Sequence, residues 1–421
     1  MSVRWPGAGT SDERNHLTHS SWQYRCCAGR FVCNDRLAVQ PMPNDTRRPL
    51  RIAIVTSYYP PHVGGVETMA TEQAVRLARR GWAVEVHTTR LRGDAAVEQH
   101  DGVTVRRTRA VNPLERWFGV PIPLVWPGFA RGVVRREQRP DIVLIHGHVY
   151  LTSVLAMVAA RWRRVPTVVL QANPYVEYPA PIALVERLAD RLIGRPVLKR
   201  AAAVAAISEH TARYVRAIAP GVEPVVVHCG VDTERFHPDP GDPRAARWRV
   251  VTVRRLVERN GVDVLIDAWR MSGLDAVGEL VIGGSGPGRA TLEQRAAGLQ
   301  HVRFAGFVPD AELSVLYRSA AVAVMPTRSG EGFGLMAAEA LSCGTPVIAS
   351  NDGALGEVVR DGVDGLLVTA GDAGALADAL RRVHADAELA AALRAGAATV
   401  NWSWERNVDA LAAVLEAAAR R

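Results

Sequence analysis

The chain has 421 residues, 48% of them hydrophobic and 22% charged, with a formal net charge of +8. This is the composition of a globular protein with room for two domains, not of a disordered or fibrous chain. No apolar run is long enough to cross a bilayer, Leu151–Ala160 and Ala201–Ile207 coming nearest, so the sequence excludes an integral membrane protein.

The positive charge is uneven. It is concentrated in residues 51–250, whereas 251–421 are net acidic, and Lys199 is the single lysine. Arginine so dominates that a missing lysine at any one position carries little information. A basic surface fits an anionic membrane better than nucleic acid here, because no basic stripe interleaved with aromatics is present. The five cysteines, with Cys26, Cys27 and Cys33 clustered, lack paired C-x-x-C spacing. Reduced thiols and no metal site are expected. Met1–His16 lack an apolar signal core, and the expected location is cytoplasmic, with the inner face of the membrane as a further option.

Residues 1–48 show neither helical nor strand periodicity and are expected to be a disordered extension. From Leu50 the pattern changes. LRIAIVTSYYP reads as a β-branched strand ending in a loop, and Gly64 and Gly65 form a turn that opens an amphipathic helix stopping at Gly81. Strands AVEVHTT and VTVRRT follow, then DIVLIHGHVY, whose end carries His146 and His148, and the helix LTSVLAMVAARWRR. VPTVVLQANP, VAAISEHTARYVRAI and PVVVHCGVD continue the alternation, which predicts a parallel sheet covered on both faces. Phe236–Trp248, rich in Pro, Asp and Arg, reads as a linker. A second alternating series then runs from RVVTVRRL to GLLV, and the tail WSWERNVDALAAVLEAAARR is an amphipathic helix. Boundaries are expected at 49–238, 239–400 and 401–421, the last helix being able to cross back to the first domain.

Several residues carry chemistry. TRSGEGFGLMAAEALSCG (Thr327–Gly344) places Glu331 and Glu339 at either end of a glycine-broken loop that runs into an apolar helix. Two carboxylates in so apolar a run need hydrogen-bonding partners. With a helix start near Gly334, the N–H groups of Phe333, Gly334 and Leu335 are free for an anion, and the carboxylates for hydroxyls. Arg255, with Arg259 and Asn260 behind it, ends a strand where a diphosphate would need fixed charge. GGSGPG, with Gly284 and Gly286, follows a strand and opens a helix; it is a phosphate loop or a plain tight turn, and the Gly64–Gly65 turn has the same two readings. His146 and His148, two apart, are expected on one face of a strand end. Cys343 reads as a small buried residue.

Taken together these residues resemble the retaining glycosyltransferases of family 4 with the GT-B fold, over roughly Leu50–Trp404. The E-x7-E pair within PTRSGEGFGLMAAEALSCGTPVIAS carries the resemblance best, and HCGVDTERFHP, RRLVERNGVDVLI, LVIGGSGPG and FAGFVPDAELSVLY agree in order. The resemblance implies two facing doubly wound domains that share a cleft, and transfer of a sugar from a nucleotide-diphosphate sugar to a hydroxyl acceptor on a glycan, a lipid-linked sugar or a small molecule. It implies that the residue at Glu339 holds the ribose and that at Glu331 the transferred sugar. Phe333–Leu335, Arg255 and Gly65 would serve the diphosphate. The family's usual lysine is replaced by Asn260, with Arg259 available in its stead. A histidine near the reacting sugar falls on His146 or His148 according to the alignment. No metal or other cofactor is implied. An epimerase on the same fold and a basic membrane-binding module are the alternatives; Asn112–Phe129, apolar and aromatic beside Arg131, Arg135 and Arg136, is the stretch expected to touch a bilayer.

Overall fold

Short runs of β-branched residues dominate the strands, and most are buried on both faces, as in a parallel sheet sandwiched between helices. The computed structural model describes residues 49–62, 64–90, 93–112, 123–126, 128–172, 180–239, 241 and 245–421. The expected extension 1–48 and most of the Asn112–Phe129 stretch lie outside them.

The first sheet is built from β1 (Arg51–Val55), β2 (Ala83–Arg90), β3 (Val97–His100), β4 (Val103–Val111), β5 (Leu124–Val125), β6 (Ile142–His146), β7 (Thr167–Gln171), β8 (Ala203–Ala206) and β9 (Val225–Val226). Its order is β3-β4-β2-β1-β6-β7-β8-β9, with β5 added to β4. Pairing is parallel except at β3 and β5, which run antiparallel to β4. The expectation of a wholly parallel sheet is corrected at this edge. The four residues of β3 are all exposed, so it needs no helix to cover it.

The second sheet is parallel throughout, in the order β12-β11-β10-β13-β14-β15. Its strands are β10 (Trp248–Val253), β11 (Gly278–Gly283), β12 (Val302–Gly306), β13 (Val322–Met325), β14 (Val347–Ser350) and β15 (Gly365–Val368). Helix Val262–Ser272 packs against helix Ala373–Ala385 on one face, burying Leu265, Ile266 and Trp269 with Leu376 and Leu380.

The last helix, Trp404–Ala419, packs on the first sheet, against helix Gly65–Arg79 and strands β6 to β8. Val408, Leu411 and Leu415 on its inner side join a core cluster with Ile52, Ile142 and Leu170. Asn407 fixes the register: its Nδ2 donates to the His228 carbonyl at 2.6 Å and its Oδ1 accepts from Gln73 Nε2 at 3.1 Å. Among the described residues no helix is long and apolar enough to cross a membrane.

Candidate active site

Strand order reverses twice, between β1 and β6 in the first sheet and between β10 and β13 in the second. Crevices open at such points beyond the carboxyl ends of the strands. The candidate residues cluster at these exits: His146 ends β6, Arg254 and Arg255 follow β10, and Thr327–Glu331 follow β13.

Alternation at the end of β10 sorts the two arginines. Arg254 shares the inward direction of Thr252 and is 5% exposed, whereas Arg255 is exposed. Arg254 Nη2 donates to Glu331 Oε2 at 3.0 Å and to Asn260 Oδ1 at 3.4 Å, and Nη1 donates to Thr327 Oγ1 at 2.9 Å. Burial lowers the pKa of this guanidinium, and the Glu331 carboxylate opposes that shift. Sequence reasoning missed Arg254, because a strand buried on both faces carries no hydrophobic alternation that separates it from Arg255. Asn260 turns inward to this network, its Nδ2 donating to the Arg255 carbonyl at 2.6 Å. The side chains of Arg255 and Arg259 remain exposed, with no ion pair among the described residues.

Gly334, at φ +91°, breaks the chain just before helix Leu335–Ser342. A Cβ there would meet Leu355 Cδ2 at 2.7 Å, so both conformation and space require glycine. Among the described residues no acceptor takes the N–H of Phe333, Gly334 or Leu335. Glu331 stands before this helix start with its side chain 24% exposed. Glu339 lies in the second turn, half-buried, with no hydrogen-bond or ion-pair partner among the described residues. Burial pushes its carboxyl up to about 8, against the opposing pull of Arg235. A third carboxylate, Asp352, sits beside Glu331 in the loop after β14. It accepts from the N–H of Gly330 and Gly353, its Oδ2 is buried without a partner, and burial raises its pKa. Only its place at a strand exit could have marked it in the sequence.

The two histidines have opposite surroundings. β6 ends at His146, and Gly147 takes φ +79°, so the alternation expected to set both on one face does not run through to His148. His146 is fully enclosed, neither ring nitrogen has a partner among the described residues, and burial alone lowers its pKa to about 4. His148 is held at both nitrogens, by Gln171 Oε1 at 2.7 Å on Nδ1 and by Asp190 Oδ1 at 2.9 Å on Nε2. Tyr214 donates to the other Asp190 oxygen at 2.7 Å.

Gly284 and Gly286 pack on the backbone of Arg254 and Leu256, where a Cβ at either would collide with a carbonyl oxygen. This close packing accounts for both glycines within the protein. At Gly65, the first residue of helix Gly65–Arg79, a Cβ would meet nothing within 4 Å; at Gly64 it would run into the Glu67 carboxylate. Cys343 is buried, as its sequence context suggests. Among the described residues no group of three or more His, Cys, Asp or Glu side chains is placed to hold a metal ion.

The two sheets' loops touch here. Ser208 Oγ, at the start of helix Glu209–Ile218, donates to the Gly332 carbonyl at 2.7 Å, and the Glu357 carboxylate accepts from the N–H groups of Glu209 and His210 at 2.7 and 2.8 Å. A carboxylate at a helix N-terminus is favourably placed against the helix dipole. The loop after β13 therefore rests directly on the first half.

Residues 63–235 match the family model described as Glycosyltransferase Family 4, and residues 235–400 that described as Glycosyl transferases group 1. A D-inositol 3-phosphate glycosyltransferase of Geodermatophilus obscurus is 34% identical over 400 residues, spanning 85% of each chain. One of Mycobacterium tuberculosis is 33% identical over 412 residues, 87% of this chain and 82% of the relative. Among solved structures, sucrose-phosphate synthase from Thermosynechococcus elongatus superimposes with a TM-score of 0.72 at 22% identity, over 87% of this chain and 98% of that one. Anabaena HepE in complex with UDP and glucose gives 0.69 at 21% identity, over 87% of this chain and all of its own. These two likenesses bear on the fold, two Rossmann-like halves of the GT-B type. The chain belongs to the family 4 glycosyltransferases and is a glycosyltransferase enzyme.

Proposed function

We propose that the enzyme transfers a glycosyl unit from a nucleoside diphosphate sugar to a hydroxyl acceptor with retention of configuration. In this reading residues 49–238 form the acceptor-side domain and 239–400 the donor domain, with 401–421 returning to the first. The observation that carries it is the set of unpaired groups at the exits of β10 and β13. Three backbone N–H groups at a helix start lie between Glu331 and Glu339 along the chain, and Arg255 and Arg259, exposed and without an ion pair among the described residues, follow β10. A diphosphate matches the N–H groups and arginines, and sugar hydroxyls the carboxylates.

Glu339 takes the ribose diol, an occupant suited to a carboxylate that no protein group satisfies. Glu331, oriented by Arg254, takes hydroxyls of the transferred sugar. As the bond from the anomeric carbon to the diphosphate oxygen breaks, charge grows on the leaving phosphate, where the N–H groups of Phe333–Leu335 and Arg255 receive it. The acceptor oxygen bonds to the anomeric carbon on the same face and gives its proton to the departing phosphate. His148 is the histidine that faces the sugar. Both rings are buried, but His148 lies past the strand end with its ring fixed by two partners, whereas His146 lies within the strand with none among the described residues. Gly65, with open space at its Cα, leaves room for the donor phosphates. No metal or cofactor takes part in this scheme. The acceptor is presented in the cytoplasm at an anionic membrane surface, which the basic first half can approach.

Thermal denaturation with UDP, GDP and ADP and their common sugars tests the donor assignment. One nucleotide series should raise Tm by a few degrees at saturating concentration. No shift with any of them would overturn the assignment, and sugar-nucleotide conversion without an acceptor would favour an epimerase.

A further inference from the structure

Helix Ala180–Ala189 continues through one π-helical turn, Asp190–Gly194, into helix Arg195–Arg200. Leu184, Leu188 and Leu192 recur at intervals of four and are 59%, 48% and 69% exposed, and Val185 beside them is 66% exposed. Residues four apart share one face of a helix, so these side chains form a continuous apolar stripe turned to solvent. Arg187, Arg191 and Arg195 lie along it, and none of them makes an ion pair among the described residues. The carboxylates of this segment turn away. Asp190 points inward to His148 and Tyr214, and Glu186 is half-buried with one oxygen enclosed.

An aliphatic stripe bordered by unpaired arginines is the arrangement that lies in the plane of an anionic bilayer, aliphatic side chains among the acyl chains and guanidinium groups at the headgroups. Even with Ile193, 38% exposed, as a fifth, these side chains fall short of the roughly 800 Å² per partner of a stable protein interface. The cationic border selects a negatively charged partner rather than an apolar protein surface. We propose that the Leu184–Arg195 face docks on an anionic membrane. This rests on the reading of a membrane-presented acceptor given above and supplies its contact surface. The turn that sends Leu188 and Leu192 outward sends Asp190 inward to His148, so docking here sets the bilayer directly behind the acceptor side of the cleft. The surface is distinct from Asn112–Phe129.

Flotation of the full-length protein with vesicles of phosphatidylcholine, alone or with phosphatidylglycerol, tests this. The wild-type protein should float with the anionic vesicles at low salt and lose most of that binding at high salt. Leu188→Glu with Leu192→Glu should reduce the bound fraction at least about tenfold, with far-UV circular dichroism and Tm unchanged. Arg187→Gln with Arg191→Gln should reduce binding and flatten its salt dependence. If the wild-type protein does not float, the membrane-presented acceptor itself is wrong. If it floats and both double variants float equally well, that reading stands and this face is not the contact. A concentration-dependent dimer abolished by the leucine substitutions would assign the stripe to a second copy and overturn the proposal.

Discussion

The two halves meet their ligands in opposite ways. Around the second sheet, beside the Arg254 network, several polar groups are left open: the N–H groups of Phe333–Leu335, Arg255, Arg259 and Glu339 have no partner among the described residues. Around the first sheet the groups past the strand end are closed on one another, His148 with Gln171 and Asp190, and Asp190 with Tyr214, whereas His146, inside the sheet, lacks a partner among the described residues. Open groups at strand exits describe a charged ligand by their own geometry. A closed network describes only how a side chain is held, and the ligand it serves must be inferred from outside it. The donor is therefore legible in this protein to a degree that the acceptor is not.

The contrast breaks first at Glu331, where one carboxylate belongs to both kinds of arrangement, paired to Arg254 yet open to the cleft. Glu331→Gln keeps the volume and an acceptor for Arg254 while removing the charge. Transfer measured with donor and acceptor saturating should fall about 10²- to 10³-fold, the scale for loss of one charged group at a reacting centre. Tm should fall only modestly, because the amide oxygen still accepts from the guanidinium. Activity within twofold of wild type would show that Glu331 serves Arg254 alone.

The next largest effect is expected at the open cations. Arg255→Ala and Arg259→Ala should each weaken nucleotide diphosphate binding about tenfold, measured by calorimetry, and flatten its salt dependence. The nucleoside monophosphate should be affected less. If Arg254→Met instead gives the larger loss for the diphosphate, the buried arginine and not the exposed pair meets the phosphate.

Legibility in the sequence follows the same division. Hydrophobic periodicity is enough for the alternating strands and helices, because burial on both faces forces β-branched runs such as Ile52–Val55 and Val347–Ala349. It fails at β3, where four exposed residues pair on one side only and carry no hydrophobic pattern. The E-x7-E spacing located Glu331 and Glu339, since acids in an apolar run announce themselves. Arg254 was hidden by its neighbour: β10 is buried on both faces, so hydrophobic alternation does not separate two adjacent arginines at its end, and only the fold shows Arg254 turned in to Glu331 and Thr327. Asp190 and Gln171 were out of reach. They lie 42 and 23 residues from His148, and only the fold brings them to it.

His146 offers a sharper test of the closed half. Its two buried, partnerless nitrogens each carry a desolvation cost, so His146→Leu should stabilise the fold by about 1–3 kcal/mol. The gain should grow on acidification. The folded pKa is depressed to about 4 from 6.5, so the wild-type protein loses stability as pH falls from 6.5 towards 4, and the leucine variant lacks that loss. Transfer should stay within about threefold of wild type, whereas His148→Ala should lower it about tenfold or more. A variant at His146 that is both more stable and inactive would exchange the roles of the two histidines.

Glu339 should give the most direct reading of an open group. Its folded pKa, about 8 against 4.5 for the free group, means that the folded protein holds a proton there that the unfolded chain releases. Stability from this group is fully present below pH 4.5 and is lost as pH rises through 8. Glu339→Gln removes the titration, so its Tm relative to wild type should be unchanged at pH 4.5 and higher by on the order of several degrees at pH 8.5. A ribose diol prefers the ionised carboxylate, so nucleotide binding at pH 7 should release a proton from the wild-type protein and none from the variant. Calorimetry in buffers of different ionisation enthalpy reads that proton directly. Equal proton release by both proteins would place the ribose away from Glu339, even if the donor site as a whole were correctly assigned.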